Sequence, residues 1–310
     1  MRPLLDVVIV NWNAGDQLRD CLASLAASGD AARLRVVVVD NASTDGSAEG
    51  LERPDLALTV LRNADNRGFA RACNQGAALG EAEAILFLNP DTGVSRDGIG
   101  AARAVLAADE GIGIVGARLV DEAGRTHRTC ARHPTASSLI AHTLFLDRLL
   151  PGRVPAHFLL DWDHTETRAV DAVMGAFLMI RRSLFTRLGG FDERFFVYWE
   201  DADLCARAGA AGFAVCHAAR AEIRHRGQGT TEAVKDRRLF YFLRAQALYA
   251  DKHFGRLSFL VVLAAALAVN LPVRLGRALL RGSARDAGAV IRAGGMLAAA
   301  LPGLLTGSDR

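Results

Sequence analysis

The sequence predicts an α/β protein: a doubly wound, mostly parallel sheet with helices on both faces, followed by a C-terminal helical tail. Two observations carry this prediction. Over the first 120 residues, short uninterrupted apolar runs alternate with amphipathic stretches, and such runs suit strands that are covered on both faces. An alternation of strand and helix folds with right-handed crossovers into a parallel sheet. Ligands of these sheets bind beyond the carboxyl ends of the strands.

The elements of the first half follow from these runs. We predict strands at 7–10, 36–39, 58–61 and 85–88, and helices at about 15–28, 46–53, 68–80 and 95–109. Polar, turn-forming residues follow each strand, at 11–13, 40–46, 62–63 and 89–91. For any one such end, turn chemistry is as good an explanation as a ligand site. Four ends that meet at one edge of a sheet favour a ligand site.

The second half of the sequence is predicted to contain fewer strands and more helical residues than the first half. We expect a helix at 137–150, a strand-like run at 169–180, a short helix at 181–188, a helix at 201–211, a strand at 213–217 and a helix at 236–254. Glycines close two of these helices, at 189–190 and at 212, as is common at helix ends.

Composition excludes several classes of protein. With 51% hydrophobic and 23% charged residues the chain is not disordered. Its five cysteines are scattered and form no C-x-x-C pair, so neither a disulfide framework nor a zinc site is expected. The net charge of +3 is concentrated in residues 251–310, which hold eight Lys and Arg against three Asp and Glu. A nucleic-acid partner would favour a basic patch on the folded body, so none is expected. Without a recognisable secretory signal, a cytoplasmic location is expected.

The tail, residues 256–310, predicts contact with a membrane. Residues 257–271 carry no charge and end at Pro272. As a helix they would be about 22 Å long, too short for a hydrocarbon core of roughly 30 Å. Arginines follow at 274, 277, 281 and 285, and a second apolar stretch at 287–305 is interrupted by Arg292. A packed helical cap is one interpretation. We favour helices in the interface, peripheral or monotopic on the inner face of the plasma membrane, with arginines near anionic headgroups.

Two aspartates at strand ends are candidates for ligand contacts. Asp40 follows a run of four valines and can accept hydrogen bonds from a base or a ribose, although it can also cap a helix. Asn89, Pro90 and Asp91 form a stiff turn that directs oxygen-bearing side chains outward. One carboxylate, with phosphates and water, is a common way to hold Mg²⁺ or Mn²⁺.

Two further sites lie later in the chain. Glu200, Asp201 and Asp203 follow an aromatic run that ends at Trp199, and mutual repulsion raises the proton affinity of clustered acids. An acidic helix start is the alternative interpretation. His225 stands in a loop rich in arginine and glycine, where it could be a metal ligand.

Together these residues resemble family 2 glycosyltransferases, and the bacterial rhamnosyltransferase-like subgroup in particular. The matching segments are 8–13, 39–47, 66–70, 88–91, 189–192 and 199–204, with Asn74 and Gly76. The resemblance covers about residues 4–255. It implies a GT-A domain over 1–255, with a nucleotide-binding half at about 1–120 and an acceptor-binding half at about 121–255.

The resemblance also implies an inverting transfer from a nucleoside-diphosphate sugar, assisted by a divalent cation, Mg²⁺ or Mn²⁺. By position, Asp201 is the base, and Asp91 and His225 hold the metal. The residues implied to bind the nucleotide sugar are Asn11, Asp40, Asn41, Asn66, Gly68, Asn89 and Asp91. Those implied on the acceptor side are Trp199, Glu200 and Gly175. Asn89 stands where the family's D-x-D element has its first aspartate. The ligands of the metal would therefore carry one negative charge fewer.

The function predicted on this basis is transfer of a sugar, best matched by L-rhamnose from dTDP-rhamnose, to a lipid-linked or cell-surface glycan. UDP-galactofuranose and UDP-N-acetylglucosamine remain alternative donors. A catalytically silent nucleotide-sugar-binding scaffold of a membrane assembly is the alternative outside the enzymes. A dinucleotide-dependent oxidoreductase is disfavoured because no G-x-G-x-x-G follows the first strand.

Overall fold

A computed structural model describes residues 4–150, 152–154, 157–227 and 234–307. The chain divides into two compact units. The sheet unit contains residues 1–133, 158–193 and 200–230, and the helical unit contains residues 134–157, 194–199 and 231–310. The predicted boundary at residue 255, between a catalytic domain and a tail, stays a prediction.

The sheet unit is built on one mixed sheet. Its strands are β1 (Leu5–Asn11), β2 (Leu34–Asp40), β3 (Ala57–Arg62), β4 (Ala84–Leu88), β5 (Thr92–Val94), β6 (Ile112–Val120), β7 (Arg168–Val170), β8 (Phe177–Arg181) and β9 (Ala214–His225). The spatial order is β3-β2-β1-β4-β8-β6-β9-β5, and β7 pairs with β9. Strands β1 to β4 run parallel. Strand β8 is antiparallel to both β4 and β6, and β9 is parallel to β6.

The helices, in chain order, are α1 (Gln17–Ala26), α2 (Phe69–Ala78), α3 (Gly98–Ala108), α4 (Ala136–Thr143), α5 (Leu146–Leu149), α6 (Arg182–Arg187), α7 (Glu200–Ala210), α8 (Lys235–Phe254), α9 (Arg256–Ala265), α10 (Leu271–Leu280) and α11 (Ala284–Thr306). Helices α1 to α3, α6 and α7 belong to the sheet unit, and the others belong to the helical unit.

Both faces of the sheet are buried, which explains the uninterrupted valines of β2. Val36 and Val38 pack in a core with α1 and α3. Val37 and Val39 pack in a second core with α2, α6 and α7. Alternate residues of a strand point to opposite faces, so a strand covered on both sides needs an apolar residue at every position. The predicted α/β class with helices on both faces is confirmed.

The helix predicted at 46–53 is wrong, because this segment forms turns. Gly46 and Gly50 adopt positive φ angles of 76° and 56°, which do not occur inside a right-handed helix. The Ser47 hydroxyl accepts a hydrogen bond from Asn11. Arg19 donates to the backbone carbonyls of Glu49 and Gly50. Bonds to other parts of the chain thus replace those that a helix would make within itself.

Other boundaries also differ from the predictions. The run at 169–180 forms two strands, β7 and β8, separated by a loop. The helix expected at 137–150 is broken between α4 and α5 at Phe145, whose φ is 60°. The strand expected at 213–217 extends to His225 as β9.

Pro272 does not end the first helix of the tail, contrary to the prediction. A five-residue π-helical segment, Ala266–Asn270, joins α9 to α10, and Pro272 lies in the first turn of α10. The π segment lies just before the proline, within one continuous helix that runs from Arg256 to Leu280. In the π segment, the Asn270 side chain donates to the carbonyl of Thr143 and accepts from Arg274.

The described chain therefore contains two helices that are long and apolar enough to cross a membrane, by length and composition only. They are Arg256–Leu280, with a mean hydropathy of 2.0, and Ala284–Thr306, with a mean hydropathy of 1.5. The length argument against a span at 257–271 no longer applies, since a 25-residue helix is about 37 Å long.

Candidate functional site

The ends of β1 and β2 bring together the first two predicted site residues. Asn11 pairs with Asp40 in the parallel register. Its Nδ2 lies 2.8 Å from Asp40 Oδ1, 3.0 Å from Ser43 Oγ and 2.9 Å from Ser47 Oγ. The Ser43 hydroxyl also donates to Asp40. Both Asn11 and Asp40 are buried. These neighbours therefore hold Asp40 in one orientation. The two serines were not predicted from the sequence. The position of Ser43, three residues after an aspartate, is typical of a side-chain turn and could have indicated this contact.

Asn41, Asn66 and Gly68 form a second cluster beside the first. The Asn41 side chain donates to the Gly68 carbonyl and accepts from Asn63. Asn66 Oδ1 accepts a hydrogen bond from the Gly68 N–H. Gly68 has a φ of 84°, which favours glycine because a Cβ would be strained there. These residues fix the loop between β3 and α2.

The turn after β4 places Asp91 beside His225. Strand β5 pairs antiparallel with the end of β9, with Thr92 opposite His225. Nε2 of His225 lies 3.4 Å from Oδ2 of Asp91, and each side chain is 11% exposed. Asn89 begins the turn, where its carbonyl accepts from the Thr92 hydroxyl and its N–H donates to Ala176.

Asp91 and His225 line a pocket of about 440 Å³. Glu122 also lines the pocket, together with residues of α1, β5 and β9 and the residue that follows β9, namely Gln17, Asp20, Ala23, Ser24, Thr92, Gly93, Arg224 and Arg226. It therefore mixes acidic side chains with two arginines and a histidine. Gly229, the other glycine of this loop, lies outside the described residues.

Asp201, in the first turn of α7, is half-buried and held by two backbone N–H groups. Its Oδ2 accepts from Gly175 at 2.8 Å, and its Oδ1 accepts from Ala202 at 2.8 Å. Burial raises the pKa of this carboxyl, although the two hydrogen bonds oppose the shift. A Cβ on Gly175 would lie 3.4 Å from Asp201 Oδ2, so position 175 is in van der Waals contact with this carboxylate.

The other two acids of α7 have different surroundings. Asp203 is buried and pairs with Arg207 at 2.7 Å, and Arg207 also donates to the carbonyls of Leu188 and Gly190. This pair ties α7 to the glycine turn that follows α6. Glu200 is buried, and burial, followed by the charge of Asp201, raises its pKa well above the ordinary value. Of the three acids, only Asp201 therefore combines partial exposure with a fixed orientation.

Trp199 belongs to the helical unit, where its ring packs against Tyr249 with centroids 5.0 Å apart. Trp199 and Tyr198 have positive φ angles of 68° and 72°. Two consecutive residues in this region store backbone strain, which often marks functional segments.

The donor set of the Asp91–His225 pair fits a divalent cation. Ligands on adjacent corners of an octahedral Mg²⁺ site lie about 3 Å apart, close to the observed 3.4 Å. Among the described residues, no group of three or more His, Cys, Asp or Glu side chains is placed to hold a metal ion. The pair could therefore supply two ligands, and phosphate oxygens and water would supply the others.

The sheet order, with parallel β1 to β4 followed by antiparallel β8, and the acidic site beyond the strand ends are those of a glycosyltransferase with the GT-A fold. The chain belongs to Glycosyl transferase family 2, whose model matches residues 6–189.

A curated relative covers most of this chain and most of its own length. It is the N-acetylglucosaminyl-diphospho-decaprenol L-rhamnosyltransferase of Mycobacterium tuberculosis, 28% identical over 82% of this chain and 87% of that protein. The protein is therefore a family 2 enzyme of the rhamnosyltransferase-like type.

Several solved structures share the fold. The mannosyltransferase PcManGT from Pyrobaculum calidifontis, in complex with GDP-Man and Mn²⁺, superposes with a TM-score of 0.57 at 20% identity, covering 94% of this chain and 86% of that one. Residues 1–349 of S. aureus TarS, in complex with UDP-GlcNAc, superpose with a TM-score of 0.54 at 17% identity, covering 96% of this chain and 80% of that one.

Proposed function

We propose that the protein transfers a sugar, with L-rhamnose from dTDP-rhamnose as the first candidate donor, to a lipid-linked or cell-surface glycan acceptor with inversion at the anomeric carbon. The observation that carries this proposal is the arrangement of Asp40 and Asp91 at the carboxyl ends of β2 and β4, on one edge of the parallel part of the sheet. The rhamnose donor is supported by the L-rhamnosyltransferase from Mycobacterium tuberculosis.

The nucleoside lies at the ends of β1 and β2. Within the described part of the chain, Asp40 Oδ2 receives only a long hydrogen bond of 3.3 Å from the Ser43 N–H, so it has acceptor capacity left for a base N–H or a ribose hydroxyl. Asn11 Oδ1 is buried and has no hydrogen-bond partner among the described residues. Because an unsatisfied buried acceptor is costly, a donor group of the nucleotide would stabilise it.

The diphosphate lies at Asp91 and His225, which would hold a divalent cation, Mg²⁺ or Mn²⁺. When bound, the cation would supply Lewis-acid neutralisation of negative charge on the diphosphate. Mn²⁺ in the PcManGT complex supports this choice. Since Asn89 supplies no charge, Asp91 is the one carboxylate of the turn, and the affinity for the cation is expected to be moderate.

Asp201 acts as the base. Its two hydrogen bonds from Gly175 and Ala202 fix the orientation of the carboxylate, and its raised pKa improves it as a proton acceptor. The acceptor hydroxyl gives its proton to Asp201 while its oxygen bonds to the anomeric carbon. The bond from that carbon to the diphosphate breaks on the opposite side, so the displacement inverts the centre.

The acceptor side is assigned to Gly175, Glu200 and Trp199. Gly175 acts through its backbone N–H, which orients the base. Burial, followed by the charge of Asp201, raises the pKa of Glu200, which favours keeping the negative charge at the neighbouring Asp201. Trp199 is assigned by the motif resemblance alone.

The helical unit binds the inner face of the plasma membrane and leaves the protein in the cytoplasm. Several apolar side chains of α9 to α11 are exposed, including Leu257 at 75% and Leu280 at 91%. Within the unit, α8 packs against both α9 and α11, and its ion pairs reach α11 from Lys235 to Asp286 and from Asp236 to Arg292. A bilayer-spanning α9 or α11 would carry this charged helix into the hydrocarbon. The packing therefore favours helices that lie in the interface.

The test is calorimetric titration of the full chain with dTDP, UDP and GDP and their sugars, with Mn²⁺ and with a chelator. We expect metal-dependent binding of one nucleoside diphosphate, and turnover of the matching sugar donor with a polyprenyl-diphosphate-sugar acceptor. Binding without turnover on any donor and acceptor would support the catalytically silent scaffold instead. An absence of binding to every nucleotide would reject both.

A further inference from the structure

Arg226 bridges two acidic side chains across the pocket that Asp91 and His225 line. Its guanidinium lies 3.6 Å from Asp20 on α1 and 3.1 Å from Glu122, which follows β6. Arg226, Asp20 and Glu122 all line this pocket. The Arg226 N–H donates to the carbonyl of Asp91 at 3.1 Å. The backbone of Arg226 is therefore fixed beside Asp91, while its side chain pairs with the two acids.

The two ion pairs are easily exchanged. The Asp20 and Glu122 side chains are 65% and 77% exposed, and that of Arg226 is 50% exposed. Exposed ion pairs contribute little free energy because water and salt screen them. Neither distance is that of a short charge-assisted hydrogen bond, which lies at about 2.7–2.9 Å.

A diphosphate in the pocket would be a better partner for Arg226. A guanidinium binds phosphate with two parallel hydrogen bonds, and this charge-assisted geometry is stronger than a single exposed contact with a carboxylate. The fixed backbone next to Asp91 means that only the side chain must move. The same movement would leave Asp20 and Glu122 without the arginine as their ion-pair partner.

We propose that Asp20 and Glu122 compete with the donor diphosphate for Arg226, and that this exchange sets the affinity for the donor. Without donor, the two acids hold the guanidinium away from the metal-binding pair. With donor, Arg226 moves onto the diphosphate. This inference rests on the proposed function, because it requires a nucleoside diphosphate at Asp91 and His225.

The test is a double-mutant cycle, read by calorimetric Kd values for dTDP and UDP in Mn²⁺, with melting temperatures as a check on folding. Arg226→Ala should weaken binding of the diphosphate by about 10-fold, the loss of one strong charge-assisted contact. The double variant Asp20→Asn and Glu122→Gln should tighten binding by about threefold. In the Arg226→Ala background, the same double variant should have no effect, because the acids act through the arginine.

Asp16→Asn is the matched control. Asp16 is exposed at the start of α1 and does not line the pocket, so removing its charge reports the long-range effect alone. We expect it to leave the Kd unchanged.

The outcomes separate this inference from the proposed function. If the wild-type chain binds no nucleoside diphosphate, the proposed function fails. If it binds one, but Arg226→Ala does not weaken that binding, the exchange is wrong. If the acid substitutions tighten binding equally with and without Arg226, they act by simple repulsion of the ligand, and the exchange is again wrong.

Discussion

Nε2 of His225 faces Oδ2 of Asp91 at 3.4 Å because β5 folds back on the end of β9. The turn after β4 and the last residue of β9 thus meet, although they are far apart in sequence. The distance matches adjacent ligands of one ion, so the two side chains should behave as a unit.

Asp91→Ala and His225→Ala should each weaken Mn²⁺-dependent binding of the nucleoside diphosphate by about 10-fold or more, and the double variant should lose little more than either alone. Ligands of one ion are coupled, so their effects do not add. Titration calorimetry of the three variants, with circular dichroism to verify folding, measures this. Asn89→Asp is the matched gain-of-charge variant, and it should increase the affinity for Mn²⁺. Additive losses, or full binding in excess chelator, would remove the metal from the mechanism.

The pH profile of kcat/KM should show an acidic limb that belongs to Asp201. Burial raises the pKa of this carboxyl, and a base works only when unprotonated. Activity should therefore fall as the pH drops through a value above the ordinary aspartate range. Glu200→Gln should leave the limb in place, because the limb is assigned to Asp201. A limb that disappears in this variant would assign the base to Glu200.

Acid should destabilise the sheet unit through two buried histidines. Nε2 of His217 lies 3.0 Å from the His164 carbonyl, and His164 Nε2 accepts from the Cys130 N–H. Burial lowers the pKa of His164, and it lowers the pKa of His217 from 6.5 to about 4. The unfolded state therefore binds protons first, between pH 6.5 and 4. Stability from His217 is complete above about pH 6.5 and declines by about 3 kcal/mol towards pH 4.

Urea unfolding at a series of pH values measures this dependence. His217→Gln should lower stability at pH 7 and flatten the decline between pH 6.5 and 4. An unchanged slope in that variant would show that other groups cause the acid sensitivity.

The arginines of the tail should fall into two classes. Arg274 donates to Asn270 and lies over the Phe145 ring at 5.6 Å, so it packs within the helical unit, whereas Arg277, Arg281 and Arg285 are exposed. Replacing these three with Gln should weaken binding to anionic vesicles on the order of 100-fold, from about 1 kcal/mol for each cation. Binding to neutral vesicles should barely change.

Arg274→Gln is the matched control for the tail, and it should lower the melting temperature without changing vesicle binding. Flotation of the full-length chain with both vesicle types measures the partition. A wild-type protein that stays in the soluble fraction with anionic vesicles would show that the helical unit is a packed cap. Truncation at 255 is a poor test, because it would strip α9 and α11 from α8, against which both pack.

The strands could be predicted from the sequence because both faces of the sheet are covered, so β2 and β4 read as unbroken apolar runs. The segment 46–53 could not, since its conformation depends on Asn11 and Arg19, whose positions only the folded chain determines. The prediction that the first helix of the tail ends at Pro272 was wrong for a related reason. The helix continues through a π segment and past the proline, and no local pattern signalled that segment.

The features of the candidate site also differ in whether the sequence could predict them. Asp40, Asp91 and His225 could be found from their positions at strand ends and in a basic loop. The surroundings that separate the three acids of α7 could not be found. The Asp203–Arg207 pair has the spacing of helical neighbours, but the Gly175 N–H that holds Asp201 comes from a distant loop. Backbone donors of this kind leave no signature in the sequence.

The most direct test of the proposed transfer measures two quantities for the Asp201→Asn variant: its kcat and its Kd for the donor. Asparagine preserves the shape of the side chain but cannot take the acceptor proton, so kcat should fall by about 10²-fold or more, while the Kd of the donor stays within about twofold. Glu200→Gln, at the adjacent position, should keep near-normal turnover. If Asp201→Asn retains normal kcat, or if it loses donor binding in proportion to its activity, Asp201 is not the base and the mechanism is wrong.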